Sequence, residues 1–168
     1  MSIYLKTGII PTMLKKITQQ IHTRLINQKK TISVAESCTG GELSSLLTSL
    51  PGSSVYFILG VVTYSNKSKE MILNIPAKKI ARHGAVSRQI AILMAKNIRK
   101  KTHSDFGISI TGIAGPKGAT ITMPIGTIFI ALASKNKTLC KAFLLPGKRE
   151  DIRKKSTKEA LRLLYAQI

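Results

Sequence analysis

The chain has 168 residues, 43% of them hydrophobic and 20% charged, as expected of one soluble globular domain with enough chain to bury a core. Two cysteines, Cys38 and Cys140, exclude a disulfide scaffold, and the longest nearly apolar run, Val55–Val62, is too short to span a bilayer. Met1–Pro11 lacks the basic-then-apolar pattern of a secretory leader, so a reducing cytoplasm is expected, and the net charge of +20 leaves anionic partners as the open question.

In chain order, Pro11 precedes an amphipathic helix over Met13–Lys30, with Leu14, Ile17, Ile21 and Leu25 at three- and four-residue spacing. Thr31–Glu36 reads as a buried strand and Gly41–Leu50 as a short helix closed by Pro51-Gly52. Phe57–Tyr64, rich in β-branched and aromatic residues, is a second strand. Asn66–Leu73 and Ala77–Arg82 read as short helices, and Ser87 caps a long one reaching about Thr102. Phe106–Thr111 is a third strand, and Gly112–Ile125 a Gly/Pro-rich loop. Gly126–Ser134 and Thr138–Leu145 form a hairpin around Lys135-Asn136-Lys137, and Arg149–Ala166 is a last helix.

Strands alternating with helices imply an α/β fold, a three-layer α/β/α sandwich on a mixed, mostly parallel sheet of about five strands. Ligands in such folds bind at the carboxyl ends of the parallel strands. Ser37, Tyr64-Ser65-Asn66, His83–Ser87, Thr111-Gly112 and Arg149 therefore converge on one rim. Glu36-Ser37-Cys38-Thr39-Gly40-Gly41 sits where a strand hands over to a helix. It can be a helix cap, a cradle for an anion or the seat of a nucleophile, but it is neither a P-loop nor a dinucleotide fingerprint. Lys69 stands on a first helical turn at the same rim. Cys38 reads as a buried small residue before it reads as a nucleophile, and His83 lacks a carboxylate nearby in sequence. No His, Cys or Asp cluster has metal-ligand spacing. The charge comes from 20 Lys against 7 Arg spread through every segment, without an arginine stripe. A lysine-biased surface and no specific nucleic-acid partner are expected.

The ordered motifs "AESCTGG", "PGSS", "VTYSN" followed by Lys69, "HGAVS", "TGIAGP" and the run from Gly147 through Arg149 to Arg153 resemble the CinA carboxy-terminal domain family across about Ile32–Arg153. The resemblance implies a three-layer α/β/α fold. It also implies hydrolysis of the carboxamide of nicotinamide mononucleotide (NMN), giving nicotinate mononucleotide and ammonia through a Ser/Lys dyad, with no metal and no cofactor. The stand-alone form of the domain, over residues 1–168, is expected. The family's loop usually reads "GPDGG…KPVG". Here it runs from Gly115 to Gly126, with Ala119 in place of a glycine and Met123 in place of a lysine.

On that resemblance Ser37 would attack the amide and Lys69, neutral, would take its proton, its pKa lowered by burial and by the surrounding positive field. The family motifs also offer Ser54. Ser37 is favoured because Ser54 precedes the second strand whereas Ser37 and Lys69 both follow parallel strands. Amides near Thr39, Gly40 and Gly41, or from Thr111-Gly112, would hold the oxyanion. Tyr64 and Thr111 would position pyridine and ribose, and Arg149 would meet the phosphate. A homo-oligomer, a dimer, is expected, with a small-molecule pyridine nucleotide as substrate and no membrane partner. The alternative is a catalytically weakened homologue serving as a binding or interaction module, with the net charge as its evidence.

Overall fold

The structure is a computed structural model, and it describes residues 12–168. Pro11 and the leader reading of Met1–Pro11 lie outside the described residues. Six helices and five strands follow in the order α1 (Thr12–Asn27), β1 (Ile32–Glu36), α2 (Glu42–Leu47), β2 (Phe57–Val62), α3 (Asn66–Leu73), α4 (Ala77–His83), α5 (Arg88–Thr102), β3 (Phe106–Gly112), β4 (Thr127–Ala133), β5 (Thr138–Leu144) and α6 (Arg149–Tyr165). A short 3-10 turn, Ser53–Val55, leads into β2. No helix among the described residues is long and apolar enough to cross a membrane.

The sheet order is β2-β1-β3-β4-β5. β1 pairs parallel with both β2 and β3, while β4 is antiparallel to β3 and to β5. β5 therefore runs with the first three strands, and its carboxyl end, which leads to α6, shares their rim. The chain leaves β1 toward β2 on one side and later returns to β3 on the other. That reversal opens a crevice between the carboxyl ends of β1 and β3, where α/β sheets bind ligands.

Alternation along the strands divides the core. Ile32 and Val34 of β1, Ile108 and Ile110 of β3, and Ile128, Ile130 and Leu132 of β4 face α1, α2 and α6 through Ile21, Leu25, Leu43, Leu47, Leu161 and Leu164. On the other face Ala35, Leu59 and Val61 meet Leu73, Ile80, Ile90, Met94 and Ile98 of α3–α5, and small residues Ala131 and Ala133 let α5 approach β4 closely. Each fully buried aliphatic side chain contributes about 1.5–3 kcal/mol of transfer free energy. At Gly112 a Cβ would collide with Ile128 and with the Thr127 carbonyl, so the end of β3 requires glycine to keep β4 in register.

Candidate active site

The crevice is a cleft of about 420 Å³, within the ~300–1,000 Å³ typical of small-molecule sites. The ends of four strands and the turn before α5 build it. Ser37 and Cys38 come from the end of β1, Tyr64 from the end of β2 and Thr111–Gly115 from the end of β3. Gly84–Val86 and Arg149 supply further wall, as do Lys117 and Met123 of the long loop. Among the described residues no carboxylate lines it.

Lys69 is the deepest charged group. It is 1% exposed, and its Nζ lies 3.2 Å from Ser37 Oγ and 2.7 Å from the Thr63 carbonyl, to which it donates. Both ends of that contact are fixed. The Ser37 amide donates to the Ile110 carbonyl at 3.0 Å, tying the β1 turn to β3. The Ser65 hydroxyl accepts from the Ser68 amide at 3.0 Å and starts α3 one residue before Asn66, which sets Lys69 facing inward on the first turn. Burial pushes the Lys69 amine down from 10.5 to about 8. A positive field was expected to help, but burial alone lowers the amine, and the neighbouring Cys38 group pushes the other way. Cys38 itself is buried, and that burial pushes its thiol up to about 12, so it stays protonated and is no nucleophile at neutral pH.

The turn after Ser37 departs from expectation. Thr39, Gly40 and Gly41 were to offer amides to an anion, yet the buried Glu36 carboxylate occupies the start of α2. It accepts from the Gly41 amide at 3.0 Å, the Leu43 amide at 3.2 Å, and the Ser44 amide and hydroxyl at 2.8 and 2.7 Å. Gly41 takes φ 100 to make this possible, the Gly40 amide donates to the Ser37 carbonyl at 3.1 Å, and none of the three residues lines the cleft. The helix terminus carries its own anion and has no room for another. The Thr39 carbonyl accepts two bonds from the Arg153 guanidinium, at 2.7 and 3.2 Å, and Arg153 in turn pairs with Glu42 at 3.0 Å. Of the amides near Ser37, that of Cys38 faces its own thiol, and that of Thr39 has no backbone acceptor among the described residues.

The remaining candidates separate clearly. Thr111 lines the cleft, but its hydroxyl donates to the Ala85 carbonyl at 2.9 Å and so holds the turn before α5. Arg149 bridges the cleft mouth, donating to the Gly115 carbonyl at 2.7 Å and the Tyr64 hydroxyl at 2.8 Å. Ser54 is exposed on the turn at the opposite end of β2 and does not line the cleft. His83 stays outside the cleft too. Among the described residues no three His, Cys, Asp or Glu side chains gather into a metal-ligand set. Sequence reasoning missed Glu36, Arg153, Lys117 and the Thr63 carbonyl. Only Arg153 left a signal, four residues after Arg149 and so on the same face of α6.

The profile of the CinA C-terminal domain matches residues 14–168. A CinA-like protein of Koribacter versatilis is 44% identical over 164 residues, covering 98% of this chain, and one of Leptospira biflexa is 46% identical over 153 residues, covering 90%. The chain spans only 40% and 37% of the length of these two curated relatives. Among solved structures, a competence/damage inducible protein of Agrobacterium tumefaciens superposes with a TM-score of 0.92 at 32% identity, covering 95% of this chain and 98% of that one. A competence damage-inducible protein A of Klebsiella pneumoniae gives 0.88 at 30%, with 92% and 96% covered.

Proposed function

The chain belongs to the CinA C-terminal domain family, and from that membership and the cleft we propose that it is a serine amidohydrolase that deamidates NMN to nicotinate mononucleotide and ammonia. The observation that carries the reading is the buried contact between Ser37 Oγ and Lys69 Nζ at 3.2 Å, with the amine pushed down to about 8. A neutral amine that donates one N–H to the Thr63 carbonyl turns its lone pair to the serine hydroxyl.

Ser37 Oγ then attacks the carboxamide carbon as its proton passes to Lys69. The oxyanion forms beside the amide of Cys38, which follows Ser37 and lines the cleft, in place of the amides of Thr39, Gly40 and Gly41. The Lys69 ammonium returns the proton to the amide nitrogen, the C–N bond breaks and ammonia leaves an acyl-serine. Water, deprotonated by Lys69, attacks that ester, and the proton goes back to Ser37. Arg149 and Lys117 are the cations at the mouth, and a phosphate monoester would draw the Arg149 guanidinium from its bonds to Tyr64 and Gly115. The experiment is direct: purified protein with NMN should release one ammonia per nicotinate mononucleotide formed. A folded protein that releases none favours the interaction-module reading.

A further inference from the structure

Arg149 and Arg153 stand one turn apart on α6, and only the first lines the cleft. Arg153 reaches the nucleophile's turn from outside the cleft. Its Nη2 and Nε donate to the Thr39 carbonyl at 2.7 and 3.2 Å, and Nη2 lies 3.0 Å from a carboxylate oxygen of Glu42 at the start of α2. Glu42 also accepts from the Thr157 hydroxyl at 3.4 Å, one turn further along α6. The guanidinium is thus held between α2 and α6 as it grips the turn. Gly40 leaves it room: the residue takes φ 62, and a Cβ there would stand 3.4 Å from Nη2.

A peptide unit is planar and trans, so its C=O and N–H point in opposite directions and fixing one aims the other. The Thr39–Gly40 unit has its carbonyl on Arg153, which aims the Gly40 N–H at the Ser37 carbonyl, 3.1 Å away. The Ser37–Cys38 unit, its carbonyl held by that N–H, turns the Cys38 N–H the opposite way. Two planar units therefore connect a cation outside the cleft to the amide beside which the oxyanion forms. Hydrogen bonds in such a chain polarise one another, so the charge on Arg153 also strengthens the Cys38 donor. We propose that Arg153 is a positioning residue for the deamidation: through the Thr39 carbonyl it aims the Cys38 amide at the oxyanion that forms when Ser37 attacks. The proposal rests on the amidase reading for its substrate.

The test compares wild type, Arg153→Ala and Arg153→Lys, with circular dichroism to show that each is folded. Losing an oxyanion donor outright costs ~10²–10³ in kcat, and a donor left in place but poorly aimed costs less. Arg153→Ala should therefore lower kcat for NMN roughly 10- to 100-fold with KM within about twofold. The upward limb of its pH profile should stay near 8, because Lys69 is untouched. Arg153→Lys keeps the charge but loses the fork, and should fall between the two. Guanidinium, at a concentration that leaves the fold intact, should restore part of the Arg153→Ala kcat, while the same concentration of sodium chloride should not. A folded Arg153→Ala with wild-type kcat, a loss carried by KM, or a loss that guanidinium does not relieve overturns the proposal. If Arg153→Ala does not fold, a folded Arg153→Lys with wild-type kcat overturns it equally. A fluorophosphonate probe separates this outcome from failure of the amidase reading. Ser37 Oγ bonds to its phosphorus, fluoride leaves and the serine proton passes to Lys69, with no NMN involved. If wild type releases no ammonia but Ser37 is phosphonylated, and more slowly in Arg153→Ala, the NMN reading falls and the role of Arg153 stands. A wild type that neither releases ammonia nor reacts with the probe overturns both.

Discussion

Lys69 shows what burial does to one side chain. With its amine pushed down from 10.5 to about 8, roughly a tenth is neutral at pH 7. Turnover should therefore rise with pH through about 8 and level off above it, while Ser37→Ala and Lys69→Met each abolish it. A pH–kcat profile with its upward limb near 10 would show an unperturbed lysine instead. The same shift acts on stability. Between about 8 and 10.5 the unfolded chain binds a proton that the folded chain releases, so stability climbs with pH across that window. It falls by about 3 kcal/mol as the pH drops back through 8. Lys69→Met removes that penalty. Its melting temperature should exceed that of wild type at pH 7, and the gap should close toward pH 10.5, which thermal melts across that range would measure. A variant that is more stable and inactive is the signature of a group held at a site against its own solvation.

At the level of elements, the start of α2 is organised by a residue of β1. Glu36 accepts four hydrogen bonds there and gives the turn around Ser37 its shape. Glu36→Gln keeps the size but replaces one acceptor oxygen with a donor facing N–H groups. Urea unfolding should show a loss of about 2–3 kcal/mol, and turnover should fall because Ser37 is the next residue. Unchanged stability would mean those amides find other partners. Glu36 also marks where sequence reading stopped. Hydrophobic spacing located the strands and helices to within a few residues, and the strand-end rule collected Ser37, Tyr64, Lys69, Thr111 and Arg149 at one rim. Helix ends were harder. α1 stops at Asn27 rather than Lys30, where Lys29 takes a left-handed φ of 52, and the second strand ends at Val62, before Tyr64. The amides of Thr39–Gly41 were misassigned because a carboxylate reaching forward from the preceding strand leaves no periodic trace. Only the packed turn reveals that the anion position is already filled.

For the whole molecule, charge is distributed by position. Lys96, Arg99, Lys100, Lys135 and Lys137 line a groove at the β4–β5 hairpin, at the opposite end of the sheet from the cleft. Exposed lysines without base-reading or stacking groups bind phosphates by counterion release alone. Duplex DNA should bind weakly and without sequence preference, its affinity dropping roughly 10³-fold or more between ~50 and ~200 mM salt. Fluorescence anisotropy would measure this, and tight binding that survives such salt would contradict it. The cleft holds a subtler consequence of the same imbalance. Lys117 and Arg149 line it with no carboxylate between them, and Lys69 is charged half the time near pH 8. Deamidation turns a neutral amide into a carboxylate, so the product leaves with one more negative charge than the substrate brought. On the proposed reaction, the enzyme manufactures a better ligand for its own pocket. Nicotinate mononucleotide should then act as a competitive inhibitor with an inhibition constant below the KM for NMN. Added salt should speed steady-state turnover by hastening product release, and acid product that is not consumed should throttle its own formation.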